Sequence, residues 1–194
     1  MGRKAKIHRK TKETEIVLSL NLDGEGKSSV STGLGFLDHM LELFSRFSEM
    51  DLIVEGKGDL QVDQHHLVED TGLCLGLALK EALGTRKGIE RFGFASVPMD
   101  EVLVQVSLDI SGRPGLFFKV PDIRGREGAF ETEDVREFLK GMVNQADLTL
   151  HIYLLSGDNL HHVNEAIFKA LAVALRQAVR KTRKGLPSTK GKID

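Results

Sequence analysis

The sequence has no tryptophan, one tyrosine, one cysteine and four prolines in 194 residues. A single cysteine excludes a disulfide within the chain. Cys74 lies in the apolar run "GLCLGLAL" and is expected as a buried, inert core thiol. Without disulfides, the reducing cytoplasm is the expected compartment. No apolar run approaches the ~20 residues of a membrane span, and the N-terminus lacks the apolar core of a signal peptide. Neither sign of charge dominates: 27 Lys and Arg stand against 28 Asp and Glu, for a net charge of −1. Neither nucleic acid nor a membrane is therefore expected as a partner. Low-complexity runs are absent too, which argues against disorder. The basic start "MGRKAKIHRK" is a local feature, expected either as a solvated arm or as a segment that binds anions.

What remains is an ordinary globular composition, with chain enough for one domain or two small ones. The stretch "ETEIVLSLNLDGEGKSSVST" alternates apolar and polar residues around Asp23-Gly24 and predicts a β-hairpin. Its "GEGKSS" lacks the earlier glycine of a P-loop, since Asn21 stands there. Phe36, Met40, Leu43, Phe44 and Phe47 recur at helical spacing. "DLIVEGKGDLQVD" predicts strand, turn, strand, and "VEDTGLCLGLALKEALG" predicts a helix capped by Gly84. The second half repeats the order: strands around "GRPG", a helix over "TEDVREFLKGMVNQA", a strand over "DLTLHIYLLSGD", and a long helix from "VNEAIFKAL" onward.

The repetition is closest around two His-His pairs. "HHLVE" and "HHVNE" lie 96 positions apart, so His65, His66 and Glu69 fall on His161, His162 and Glu165. Leu75, Ala78, Leu79 and Ala82 fall on Leu171, Ala174, Leu175 and Ala178. An internal duplication follows, with half-domains over 1–87 and 88–194 that together form one catalytic domain. The predicted class is α+β: each half a mostly antiparallel sheet with helices on one face, the halves packing helices inward or sheet to sheet. His39 and Glu137, on the first helix of each half, precede their His-His pairs by 26 and 24 residues and are counterparts.

Imidazole and carboxylate both bind Zn, Fe and Mn. Residues four apart on a helix share a face, so His65 with Glu69, and His161 with Glu165, can each converge on one point. His66 and His162 point about 100° away and can serve a second point. With His39 and Glu137 the candidate ligands number eight, a set that suits two ions with positions left for substrate. Nitrogen and oxygen donors without thiolate favour Mn or Fe over a structural Zn. His8, in the basic arm, and His151, alternating in a strand, are read as surface and sheet-face residues. Arg91, Arg113 and Lys190, with Ser188 and Thr189, together could clamp a phosphate. Two functions fit these residues: a dimetal enzyme acting on a phosphate ester, such as a hydrolase, and a metal-storage or metal-assembled shell protein. The last has no need of the basic residues.

The quoted motifs carry a resemblance. "RKTKET" (9–14), "GFLDHML" (35–41), "HHLVED" (65–70), "GIERFG" (88–93), "SLDISGRP" (107–114), "LTLHI" (148–152), "HHVNEAIFKALAVALRQA" (161–178) and "PSTKG" (187–191) stand in the order and spacing of a known family. The chain resembles the imidazoleglycerol-phosphate dehydratases of histidine biosynthesis over nearly its whole length. The resemblance implies a hydro-lyase that converts imidazole glycerol phosphate to imidazole acetol phosphate with two Mn(II) ions per site. It also implies a 24-subunit homo-oligomer with active sites between subunits. It assigns His39, His65, His66, Glu69, His161, His162 and Glu165 to the metals, and Glu13, Arg91, Arg113, Ser188 and Lys190 to substrate. Many members carry histidine where this chain has Glu137, and the carboxylate is kept as a ligand. The proton removed is not next to a carbonyl, so the imidazole ring must act as electron sink, held at its two nitrogens. Glu13, Glu69 and Glu165 are the carboxylates expected to act in catalysis, Glu13 as the base.

Overall fold

The computed structural model describes residues 2–123, 130–182, 185–191 and 193. Two four-stranded sheets enclose the helices. The first half contributes β1 (Lys4–Lys10), β2 (Thr14–Asn21), β3 (Ser28–Ser31), α1 (Gly35–Ser48), β4 (Asp51–Gly58) and α2 (His65–Leu83). The second contributes β5 (Phe92–Met99), β6 (Val102–Asp109), β7 (Gly115–Lys119), α3 (Thr132–Ala146), β8 (Thr149–Ser156) and α4 (Leu160–Val179), the same order of elements. The sheets repeat as well: β1-β2-β4-β3 and β5-β6-β8-β7, with one parallel pair each, β3 with β4 and β7 with β8. The expected duplicated α+β architecture is therefore present, with the helices inward. No described helix is long and apolar enough to cross a membrane.

Alternation explains the sheets. Ile16, Leu18 and Leu20 on β2, and Val102, Val104, Val106 and Leu108 on β6, turn inward and are buried. The helices fill the space between: α1 rests on β3 and β4 and packs against α4, while α2 rests on β1 and β2 and packs against α3. Each half thus lends its first helix to the other half's second. The α2–α3 contact needs its glycines. A Cβ on Gly72 would sit 2.1 Å from the Phe138 carbonyl oxygen, and one on Gly76 2.3 Å from that of Met142.

Three expectations are corrected. The Asp23-Gly24 hairpin does not form, because β4 lies between β2 and β3. Residues 22–27 instead cross the strand end, where the Asp51 carboxylate accepts hydrogen bonds from the backbone N–H of Glu25 (2.9 Å) and Lys27 (3.2 Å). The "GRPG" turn likewise carries β7 past β8. Alternation reveals a strand but not its partner, and the helix between β3 and β4 makes that pair parallel. No second strand follows β4; residues 60–62 form a turn. The basic start is not a free arm but edge strand β1, with Ile7 inward and Lys4, Lys6, His8 and Lys10 outward. Lysines on an edge strand deter pairing with other chains.

Candidate metal centre and anion cluster

All four helices begin at one end of the molecule. The rings of Phe36, before the second turn of α1, and His161, in the first turn of α4, lie 5.3 Å apart, and Phe36 also meets Phe130 just before α3. The Gln64 amide donates to Asp134 (3.2 Å), joining the starts of α2 and α3. The first turns are pinned from the sheets. Asp38 accepts from the Thr32 N–H (2.9 Å) and hydroxyl (2.6 Å), fixing α1 beside His39. Buried Asp70 accepts from Arg9 (3.0 Å) and the Thr14 hydroxyl, tying α2 to β1 and β2. The motif pieces "RKTKET" and "HHLVED" meet in that contact.

At this end His39, His161 and Glu165 converge. Both imidazole Nε2 atoms face the same oxygen of Glu165, at 3.0 and 3.1 Å. One donor atom from each of the three lies within 4.8 Å of the others. Burial pushes the Glu165 carboxyl up, but the hydrogen bonds from Lys169, His39 and His161 outweigh it and hold its pKa at about 2. Two imidazole nitrogens and a carboxylate oxygen within one cation's reach fit a divalent transition metal.

The counterpart set is more open. His65 and Glu69 stand 3.7 Å apart, and Glu137 pairs with Lys140 (2.9 Å), so the three do not converge in this chain. His66 and His162 turn away from their glutamates, as their one-residue offset requires. Each donates its Nδ1–H to a carboxylate, His66 to Asp59 (3.2 Å) and His162 to Glu101 (3.0 Å); the His162 Nε2 lies 3.8 Å from Asp100, and Asp100, Glu101 and His162 form a second group of cation-type donors. Asp59 raises the His66 imidazole above its ordinary pKa, and the nearby charge of Glu13 adds to this. Glu13 precedes β2 as Glu101 precedes β6, 88 residues later, so the two are counterparts.

The basic residues lie at the opposite end. The Arg91 N–H bonds the Ala178 carbonyl (2.9 Å) in the last turn of α4, and Gly112 N–H bonds that of Asp147 (2.9 Å) after α3. The Arg91 guanidinium grips Asp109 with two hydrogen bonds (2.7 and 3.0 Å) and donates to the Pro187 carbonyl (2.9 Å). It thereby holds the 187–190 turn, in which the Ser188 hydroxyl accepts from Lys190 N–H (3.2 Å), beside the Arg113 loop; Thr189 is exposed. From His161 to Ala178, 17 residues of helix span about 26 Å.

Sequence reasoning missed Lys169, Asp59 and Glu101. The signal for Lys169 was its place four after Glu165, where the first half has Leu73. His8 pairs with Glu15 on the outer face of the first sheet, and His151 stacks on Phe117 on that of the second, as surface and sheet-face residues.

This is a duplicated α+β enzyme scaffold with a cation-type donor set at one end and an anion-type cluster at the other. The family model for imidazoleglycerol-phosphate dehydratase matches residues 32–175. Imidazoleglycerol-phosphate dehydratases of Thermoanaerobacter pseudethanolicus and Moorella thermoacetica are 52% and 53% identical, each over 98% of its own length and 97% and 98% of this chain. The crystal structure of the Staphylococcus aureus enzyme superposes with a TM-score of 0.84 at 40% identity, covering 92% of this chain and 99% of that one. That of the Pyrococcus furiosus enzyme in complex with (S)-C348 gives 0.84 at 39%, covering 96% and 99%. The chain belongs to the imidazoleglycerol-phosphate dehydratase family, and is thereby a lyase of histidine biosynthesis.

Proposed function

We propose that the chain dehydrates imidazole glycerol phosphate to imidazole acetol phosphate, using two Mn(II) ions per site, in sites built between chains of a cytoplasmic homo-oligomer of 24 subunits. The observation that carries the reading is the opposed placement of the two clusters. Three carbons separate ring from phosphate in this substrate, a reach far short of about 26 Å along α4. One chain therefore offers its histidine end to the ring while a neighbour offers Arg113, Ser188 and Lys190 to the phosphate.

His39, His161 and Glu165 would hold one cation, and His65, His66, Glu69, Glu137 and His162 are the donors left to complete the second centre. Bound cations supply Lewis-acid stabilisation of charge on the ring. The chain's own residues do the rest. Asp59 and Glu101 fix the tautomers and planes of His66 and His162. Arg91 acts by positioning the 187–190 turn, since its fork is already filled by Asp109 and Pro187. Arg113 and Lys190 grip the phosphate. Glu13, in the turn before β2 and near His66, is the carboxylate available to take the proton.

The test is incubation of the Mn(II)-loaded protein with imidazole glycerol phosphate. Dehydration gives the ketone without inorganic phosphate. Release of phosphate identifies a dimetal hydrolase instead, and metal binding without turnover identifies a storage or shell protein.

A further inference from the structure

The duplication supplies a comparison for the anion cluster. In each half the chain leaves one strand, crosses the end of its neighbour and starts the edge strand beyond. In the first half residues 22–27 cross beside the paired strand ends Asn21 and Asp51. In the second, residues 110–114 cross beside the paired ends Asp109 and Thr149. Thr149 is therefore the counterpart of Asp51. Each opens its strand three residues after a helix ends, α1 at Ser48 and α3 at Ala146.

The two residues do opposite things. Asp51 is a charged acceptor. Its carboxylate takes the Asn21 amide (2.9 Å) and the backbone N–H groups of Glu25 and Lys27. The first crossing is itself acidic, with Asp23 and Glu25. Thr149 is a neutral donor. Its hydroxyl donates to the Arg113 carbonyl (3.0 Å) and lies 3.2 Å from the hydroxyl of buried Ser111, which accepts from the Arg113 N–H (3.1 Å). Two hydroxyls thus hold both backbone polar groups of Arg113. The carboxylate of the second crossing stands across the pair on Asp109, where the Arg91 guanidinium occupies both its oxygens.

We propose that Thr149 is a positioning residue for the phosphate end of the substrate, and that its lack of charge makes the second crossing, unlike the first, an anion site. The proposal rests on the reading above, in which Arg113 grips the phosphate. Fixing the Arg113 backbone reduces the conformational freedom its side chain must lose on binding. A carboxylate at 149, as at 51, would withdraw the donor and set a negative charge beside the loop that must receive one.

Steady-state kinetics on the Mn(II)-loaded protein, with inorganic phosphate as competitor, test this. Thr149→Val keeps the shape and removes the donor. It should raise KM for imidazole glycerol phosphate and Ki for inorganic phosphate together, by about fivefold for one lost hydrogen bond, with kcat changed less. Thr149→Asp, which installs the residue of the first half, should raise both constants further. Thr149→Ser keeps the hydroxyl and should return both toward wild type. Mn(II) affinity, set at the opposite end, should be unchanged and reports that each variant is folded; should the Asp variant not fold, the comparison of Val with Ser decides. A folded Val variant with wild-type KM and Ki, or one that loses kcat alone, overturns the proposal. The same assay on Arg113→Ala separates the two readings. If that variant raises both constants, the anion cluster stands without Thr149; if it raises neither, the cluster is not the phosphate site and both fail.

Discussion

Glu165 shows how much one carboxylate can be asked to do. It accepts hydrogen bonds from His39, His161 and Lys169, and its pKa is held at about 2 against an ordinary value of 4.5. A carboxyl depressed on folding adds stability above its unfolded pKa and loses it as the pH falls through the folded one. Metal-free wild type should therefore be more stable than Glu165→Gln at pH 6, with the advantage shrinking between pH 4.5 and about 2, as followed by denaturant melts. An advantage that persists unchanged at pH 2 contradicts the assignment. Asp59 and Glu101 act through the histidines they orient. Asp59→Asn and Glu101→Gln should weaken Mn(II) binding about 10–100-fold in a metal titration. Unchanged affinity in both would show that the two pairs are surface contacts.

The elements reveal what duplication kept and what it changed. Val68 in α2 has Asn164 as its counterpart in α4, and the Asn164 amide is wholly buried without a hydrogen-bond partner among the described residues. An unsatisfied buried amide costs about 1–3 kcal/mol. Asn164→Leu should therefore raise the melting temperature, by roughly 2–4 °C for each kcal/mol in a chain this long. A lower melting temperature would mean that the amide is satisfied in the assembly. The same comparison shows what a sequence can carry. Helices were legible: α3 matches its predicted span, and Gly84 caps α2 by donating its N–H to the Lys80 and Glu81 carbonyls, while α2 and α4 begin three residues earlier than read, at His65 and Leu160. Strands were legible where every second residue is apolar, as in β2 and β6. Strand β1, with Ile7 its one buried apolar side chain, was not, nor was the insertion of β4 between β2 and β3, which depends on a crossover helix. At the helical spacing read for α1, Leu43 is only partly buried and Phe47 is exposed beneath the Lys169 ammonium, while Leu37 and Leu41 fill the core. The ligand residues were legible through their repetition. Their grouping was not: the closed set joins His39 of α1 to α4, across the halves.

At the scale of the whole molecule, the opposed ends decide how activity is distributed. A His161→Ala chain keeps its anion cluster, and an Arg113→Ala chain keeps its histidine end. Each pure variant should lose activity, since every site it builds lacks one side. If sites form head to tail between chains, mixed assemblies contain some with both sides intact. Random exchange in an equal mixture makes the fraction about a quarter, the product of two independent halves. Co-expression of the two variants should therefore restore about a quarter of wild-type turnover per site. Mixing the preformed oligomers without dissociation should restore none, which separates shared sites from residual activity. A site made wholly within one chain would instead stay broken in every variant chain, and co-expression would recover nothing beyond the sum of the two. The ratio of recovered to wild-type activity, at matched protein and saturating Mn(II), distinguishes the two arrangements.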